Sequence, residues 1–421
     1  MKLTDYEKSI LAGDQGEVPQ LALQTLMELC AFFDVEEFVE IVGCHDDSTV
    51  YAGEAQVAFA EMLAERGGKF SVPTTTNSVS CDLVRWGDEK CDIETMSATQ
   101  RIVTAHIKMG AVPTWSCAPY HLGVAPSFGQ QFAAAESNVI NYYNSILGAR
   151  TNRYAGPLEL LCGITGRAPY YGLHIKENRY AKGLVMLGDD IRPEYFTDEN
   201  LYNLVAYAFG TLAQDRIWAL EGLPTGRITN EVLKQMSATA CSSGGMALFH
   251  MIGITPEAPD RKTAFGGKEP EEIHELHLED IQKAEAALSS NDETVDAVLL
   301  GCPHCSYNEA VRIRDLFRGR KVHDNIACWL FTARTTRTML ENSGVLVDLI
   351  RSGVNVFTDG CPLEVREQNL GWNKMMSYSG KFGTYCYSMH HGIQPVFSSM
   401  KDCVETAVLG RVNKEARPWR K

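Results

Sequence analysis

Three cysteines share one local setting: Cys117 in Ser-Cys-Ala-Pro-Tyr, Cys302 in Gly-Cys-Pro-His-Cys and Cys361 in Asp-Gly-Cys-Pro-Leu. Proline close behind keeps a helix from absorbing the thiol and stiffens the turn. Cys302 and Cys361 follow the apolar, strand-like runs 297–300 and 354–357, so their thiols are expected on loops where strands end. Three thiolates distant in sequence can converge on one metal centre and leave a coordination position open for a substrate. Cys302-Pro303-His304-Cys305 is also a C-x-x-C motif between a strand and a helix over 307–317, the setting of a thiol–disulfide pair. Zinc is a third reading, although no second ligand pair with zinc spacing is present. On that motif alone the three readings stay open. Cys117 and Cys361 lack x-x-C partners, and three single thiolates describe a cluster used as a Lewis acid; electron-transfer clusters usually carry four. Each cysteine taken singly also reads as a buried structural thiol.

Other residues could bind a substrate. His45, Asp47, Ser48 and Thr49 lie in a polar run after one strand, and Asn77 and Ser78 in Thr-Thr-Thr-Asn-Ser after the next. Parallel strand-end loops would bring the two together, against ordinary turn chemistry as the plain alternative. Glu136 and Ser137 read as part of a helix over about 130–147, followed by Arg150 and Arg153, a pair able to hold a carboxylate; a solvated face would look similar. Ser242-Ser243-Gly244-Gly245 reads as a small, flexible stretch offering N–H groups to an anion, without matching a phosphate loop. Lys381 follows Ser377-Tyr378-Ser379-Gly380 in a small-residue loop and is a candidate substrate clamp.

These residues need a scaffold, and the pattern alternates strand with helix. A strand over 37–43, a helix over 53–66 and an extended segment over 69–73 form a βαβ unit, hence a parallel sheet. A helix over 94–108, a strand with turn over 180–189 and a helix over 198–212 follow. Residues 256–268 read as a surface loop and 271–288 as a charged helix. Strands at 297–300, 326–331 and 354–357 belong to three further αβ units, and a last unit pairs 395–397 with a helix over 401–409. The expectation is an α/β protein with mostly parallel sheets, in lobes at 1–115, 116–268 and 269–421. Ligands in such folds sit beyond the carboxyl ends of strands, where Cys302 and Cys361 fall.

A net charge of −14 over 421 residues argues against nucleic acid or an anionic membrane as a partner. No apolar run is long enough to span a bilayer. Residues 1–7 read as a helix cap, with Thr4 and Glu7 at capping-box spacing, in place of an export signal. Thirteen cysteines without such a signal imply a reducing, cytoplasmic setting.

The ordered motifs Leu3-Thr4, Glu7-Lys8, Leu11-Ala12-Gly13, Val72-Pro73-Thr74-Thr75, 114–120, Glu136-Ser137-Asn138, Asn144-Ser145 with 148–152, 164–172, Cys241-Ser242-Ser243, 253–258 and Gly301-Cys302-Pro303-His304 span nearly the whole chain. Together they resemble the aconitase X family. The resemblance implies a hydro-lyase large subunit, an aconitase-like core of three α/β domains around an iron–sulfur cluster, [4Fe-4S] or [2Fe-2S]. It puts the cluster ligands on Cys117, Cys302 and Cys361, leaving Cys305 out. It puts substrate contacts around Asp47, Ser48 and Thr49, on Asn77 and Ser78, on Glu136 and Ser137, and on Lys381. Glu136, Ser137 and Lys381 are the expected catalytic residues. His45, Arg150, Ser242, Ser243, His304 and Ser379 join the substrate-binding candidates. The family's small swivelling domain, which supplies a catalytic serine, has no counterpart in the chain, so a separately encoded small subunit is the expected partner.

Such enzymes dehydrate cis-3-hydroxy-L-proline or 5-phosphomevalonate. The chain departs from the archaeal phosphomevalonate pattern at Asp46-Asp47-Ser48, where that pattern has a neutral, glycine-containing loop. It also departs at Ser78, in place of proline, and at Tyr378, in place of asparagine. Two carboxylates repel a phosphate dianion and suit a cationic ring nitrogen, which favours hydroxyproline, to pyrroline-2-carboxylate. Readings from other classes are a thiol–disulfide oxidoreductase using Cys302 and Cys305, and a non-catalytic scaffold subunit.

Overall fold

The computed structural model describes residues 1–420. It opens on α1 (Asp5–Ala12), where Thr4 and Glu7 form the reciprocal cap read from the sequence. Then come α2 (Glu17–Phe32), β1 (Phe38–Glu40), β2 (Cys44–Asp46), α3 (Glu54–Glu65), β3 (Thr74–Thr76), α4 (Ile93–Lys108), β4 (Ala133–Ala134), α5 (Ser137–Asn141), α6 (Leu158–Thr165) and β5 (Arg167–Pro169). The expected strand over 37–43 contributes only β1, which pairs antiparallel with β5 in a separate two-stranded sheet; the parallel βαβ is instead β2–α3–β3, and β4 adds a third parallel strand in the order β3-β2-β4. Leu26, Leu63, Leu160 and Leu161 pack beneath it.

A second lobe holds β6 (Gly183–Leu187), α7 (Asn200–Ala213), β7 (Trp218–Glu221), α8 (Asn230–Gly244), β8 (His250–Met251), α9 (Arg261–Ala264), β9 (Glu272–Leu276) and α10 (Leu278–Leu288). Its four strands are parallel, ordered β8-β7-β6-β9, over a core that includes Phe209, Trp218 and Phe249. The third lobe holds β10 (Ala297–Cys305), α11 (Tyr307–Phe317), β11 (Ala327–Thr332), α12 (Arg334–Asn342), α13 (Val345–Arg351), β12 (Val354–Thr358), α14 (Glu367–Leu370), β13 (Met375–Ser377), α15 (Gly380–Met389), β14 (Val396–Phe397) and α16 (Met400–Leu409). Its parallel sheet runs β12-β11-β10-β13-β14, with β10 buried along its whole length, as a central strand covered on both faces must be.

Several expectations change. Residues 69–73 are irregular, and the β-branched Thr74–Thr76 form the strand instead, so His45 and Thr75 lie within paired strands. The helix expected over 130–147 starts only at Ser137. Ala133–Ala134 pair with β2, because burial between strands overrides the helix preference of alanine. Residues 240–244 are the last turn of α8, closed by Gly245, whose N–H bonds the Cys241 carbonyl. That end presents carbonyls, so the idea of an N–H cradle for an anion fails there. The charged helix over 271–288 divides into the partly exposed edge strand β9 and α10. Lys381 sits in the first turn of α15, capped by Ser379, not in a loop. The stretch from Cys302 to Cys305 continues β10 through an irregularity. No helix among the described residues is long and apolar enough to cross a membrane.

Candidate active site

A cavity of about 760 Å³ opens between the first and third lobes. Its polar wall is assembled from strand ends. Asp47 and Ser48 follow β2, Asn77 and Ser78 follow β3, and Glu136 and Ser137 follow β4. Opposite them stand Cys302 in β10, Cys361 after β12 and Lys381 after β13, with Cys117 between the two lobes. This is where parallel α/β sheets hold ligands.

The three thiols share that wall. All thirteen cysteines are free, and these three line the same cavity. Burial pushes the Cys117 thiol up to about 12, with the Glu136 charge adding to it. Burial also raises Cys361, and its two partner thiols raise it further. Burial raises Cys302, while Lys381 and the Ser379 hydroxyl pull it back. Thiols in such a setting ionise when a metal supplies the opposing charge. Among the described residues no three His, Cys, Asp or Glu side chains are arranged to hold a single metal ion. Three soft thiols on one cavity wall are the kind of donors an iron–sulfur cluster takes, one thiolate per metal. Cys305 points away: it packs with Val298, Leu300 and Ile313, whereas Cys302 packs with Trp329 and Phe357. Residues three apart on a strand face opposite sides, so the C-x-x-C pair is split between two cores.

His304 does not line the cavity; it binds the three cysteine loops together. Its backbone N–H donates to Cys117 Sγ (3.2 Å), its Nε2 meets the Gly360 carbonyl (2.7 Å), and its Nδ1 meets Ser116 Oγ (3.1 Å). The carbonyl requires a proton on Nε2, so Nδ1 accepts from the serine hydroxyl. Burial depresses the ring to about 4, keeping it neutral. From behind, the fully buried Lys234 of α8 donates to the His304 carbonyl (3.0 Å) and pairs with Glu309.

Glu136 enters α5 with φ of +71°, a sparsely populated conformation for a residue with a side chain, and caps Val139 N at 2.8 Å. Its other oxygen pairs with Lys381 Nζ, both groups nearly buried. Burial opposes the lysine charge, but Glu136 and the nearby thiols hold its pKa well above the ordinary value. Ser137 Oγ lies 3.4 Å from the same Glu136 oxygen. Asp47 is bonded by the Asn77 amide, and burial, followed by the Glu136 charge, raises its carboxyl to about 7.

The remaining candidates are placed elsewhere. His45 is buried within β2, bonded through Nδ1 to Thr75 Oγ1 (2.8 Å) and depressed by burial to about 4. Thr49 donates to the Ser78 carbonyl (2.8 Å) and ties two loops together. Ser379 caps α15 through Phe382 N. Ser242 and Ser243 bond carbonyls of their own helix, and Arg150 lines a different cavity. Sequence reasoning missed Glu159, whose carboxylate accepts from Asp47 N (3.1 Å) and Ser48 Oγ (3.2 Å), and the buried pair of Asp46 with His106 at 2.8 Å. The signal for Glu159 was an acid inside the apolar run Leu158–Cys162. His106 falls on the Ile102 face of α4.

Comparison with known proteins identifies the family. Models of the aconitase X first, second and third domains match residues 1–177, 184–286 and 295–409. Cis-3-hydroxy-L-proline dehydratase of Pseudomonas aeruginosa is 34% identical over 99% of this chain and 72% of its own length. The enzyme of that name from Hypocrea jecorina is 34% identical over 97% and 69%. The phosphomevalonate dehydratase large subunit of Methanocaldococcus jannaschii is 28% identical over 91% and 95%. The crystal structure of Thermococcus kodakaraensis aconitase X (holo-form) superposes with a TM-score of 0.86 at 26% identity, covering 97% of this chain and all of that one. With all three domain models matched in order and a common fold, the chain belongs to the aconitase X family of dehydratases, enzymes that eliminate water as hydro-lyases.

Proposed function

We propose that the chain is the catalytic large subunit of an iron–sulfur dehydratase that removes water from cis-3-hydroxy-L-proline to give pyrroline-2-carboxylate. The observation that carries the substrate reading is Asp47, a carboxylate on the cavity wall beside Asn77, in a cavity also lined by Glu136 and Glu364 and by a single cation, Lys381. Three carboxylates, Asp47, Glu136 and Glu364, against one ammonium suit a zwitterionic amino acid and repel a phosphate dianion. The two curated relatives at 34% identity carry the hydroxyproline name, whereas those named for phosphomevalonate are 28–31% identical.

In this reading Cys117, Cys302 and Cys361 would hold the cluster, which when bound supplies a Lewis acid to the departing hydroxyl. Asp47 binds the ring nitrogen. Lys381 turns part of its charge from Glu136 to the substrate carboxylate, and the released Glu136 oxygen accepts a hydrogen bond from the substrate hydroxyl and orients it. Val139 N keeps the other Glu136 oxygen in place throughout. Removal of the proton from C2 falls to a residue of a small swivelling-domain subunit. Free thiols throughout suit a reducing compartment, the cytoplasm.

The test is anaerobic purification with the small subunit, followed by assay of water loss from cis-3-hydroxy-L-proline and from 5-phosphomevalonate. Turnover of the first is expected. Turnover of the second alone moves the assignment to phosphomevalonate dehydratase, and turnover of neither with iron and sulfide in place overturns both substrates.

A further inference from the structure

Arg150 belongs to a second cavity of about 620 Å³, at the junction of the first and second lobes. Arg150, Lys176, Arg179 and Lys262 line it, with Glu257 as the carboxylate among its lining residues. Four cations against one anion is a marked local excess in a chain of net charge −14. Arg179 is accounted for: it pairs with Glu257 (2.5 Å) and donates to Asn144 and to the Leu173 carbonyl. Arg150 is not. No carboxylate pairs with it among the described residues, and its Nε is buried without an acceptor. Its charge is felt by neighbours, since with Arg179 it adds to the burial that depresses His174.

His250, 2% exposed, lines the same cavity. Its Nε2 meets the Arg179 carbonyl at 2.7 Å and therefore carries the proton. Its Nδ1 is then a bare acceptor, buried without a partner. Arg150 and His250 thus each line the cavity and each carry one buried polar atom without a protein partner, an arrangement that costs stability.

We propose that this cavity binds a small anion, a carboxylate or a phosphate, with Arg150 and Lys262 on the anionic group. The site is separate from the cysteine cavity and independent of the substrate assigned to it. Isothermal titration of the full chain at low ionic strength with glycerol 3-phosphate, inorganic phosphate and lactate tests it. At least one probe is expected to bind one-to-one with sub-millimolar affinity, more weakly at high salt. Arg150→Gln and the exposed-site variant Lys262→Gln should each weaken that binding about tenfold, while Lys381→Gln leaves it unchanged. Response to the two phosphates alone, or to lactate alone, identifies the anionic group. Absence of binding by all three at millimolar concentration, binding indifferent to both Arg150→Gln and Lys262→Gln, or binding lost in Lys381→Gln overturns the proposal.

Discussion

Asp47 carries the proposed substrate preference, and its ionisation is set by its surroundings. Burial and the Glu136 charge raise its carboxyl to about 7, so it is largely neutral below that pH and anionic above it. If Asp47 holds the substrate's cationic nitrogen, kcat/KM for cis-3-hydroxy-L-proline rises as pH increases through about 7. In Asp47→Asn that limb should vanish, with kcat/KM at pH above 7 reduced about tenfold or more. An unchanged profile in the variant would remove Asp47 from recognition. The sequence made this residue legible, since two adjacent acids after a strand are conspicuous. It did not reveal Glu159, because a carboxylate accepting from Asp47 N is a contact across 112 positions. It also misjudged Arg150, whose nearness to Glu136 in sequence suggested a shared site. In the fold the Arg150 backbone pairs alongside Gln130 and Phe132, and its side chain lines the other cavity.

Single elements decide how the cysteines are presented. β10 is regular to Leu300 and irregular from there to Cys305, and Gly301 makes the change of course with φ of +93°. A Cβ there would lie 2.1 Å from the Phe331 carbonyl oxygen of the neighbouring strand. Gly301→Ala therefore combines a strained backbone with a clash against main chain, and the strand end carrying Cys302 must shift. The expected result is a melting temperature lower by several degrees and iron content after anaerobic reconstitution well below stoichiometric. Full iron loading with unchanged melting would show that the loop tolerates displacement. The proline behind Cys117 and the one behind Cys361 each open a short helical turn, whereas Pro303 behind Cys302 stays within β10. The glycine before Cys302 looked unremarkable, because its necessity comes from the approach of β11. The misread helix over 130–147 has a similar cause: alanines that favour a helix locally are captured as a strand by an existing sheet edge.

At the scale of the molecule the cavity exists because two lobes face each other, and His304 is one of the residues that join them there. It starts from the loop of Cys302, touches Cys117 and Ser116 from the first lobe, and meets Gly360 beside Cys361. Asp82 reinforces the seam by accepting from Thr358 N (2.8 Å) and Thr358 Oγ1 (3.0 Å). His304→Ala removes two side-chain bonds and frees the three loops from one another. Iron affinity measured by chelator competition should fall about 10–100-fold, the usual cost of losing support behind metal ligands, while far-ultraviolet circular dichroism stays near that of the parent. Undiminished iron affinity would make His304 a packing residue only. The sequence by itself determined the fold class, the parallel strand-end character of the site and the three thiols, because proline, glycine and apolar periodicity act within a few residues. Only the tertiary structure decided that Cys305 faces a different core, that Lys381 is held by Glu136, and that Arg150 serves another cavity. Those outcomes depend on which way a side chain points and which distant segment stands opposite, and a local pattern carries neither.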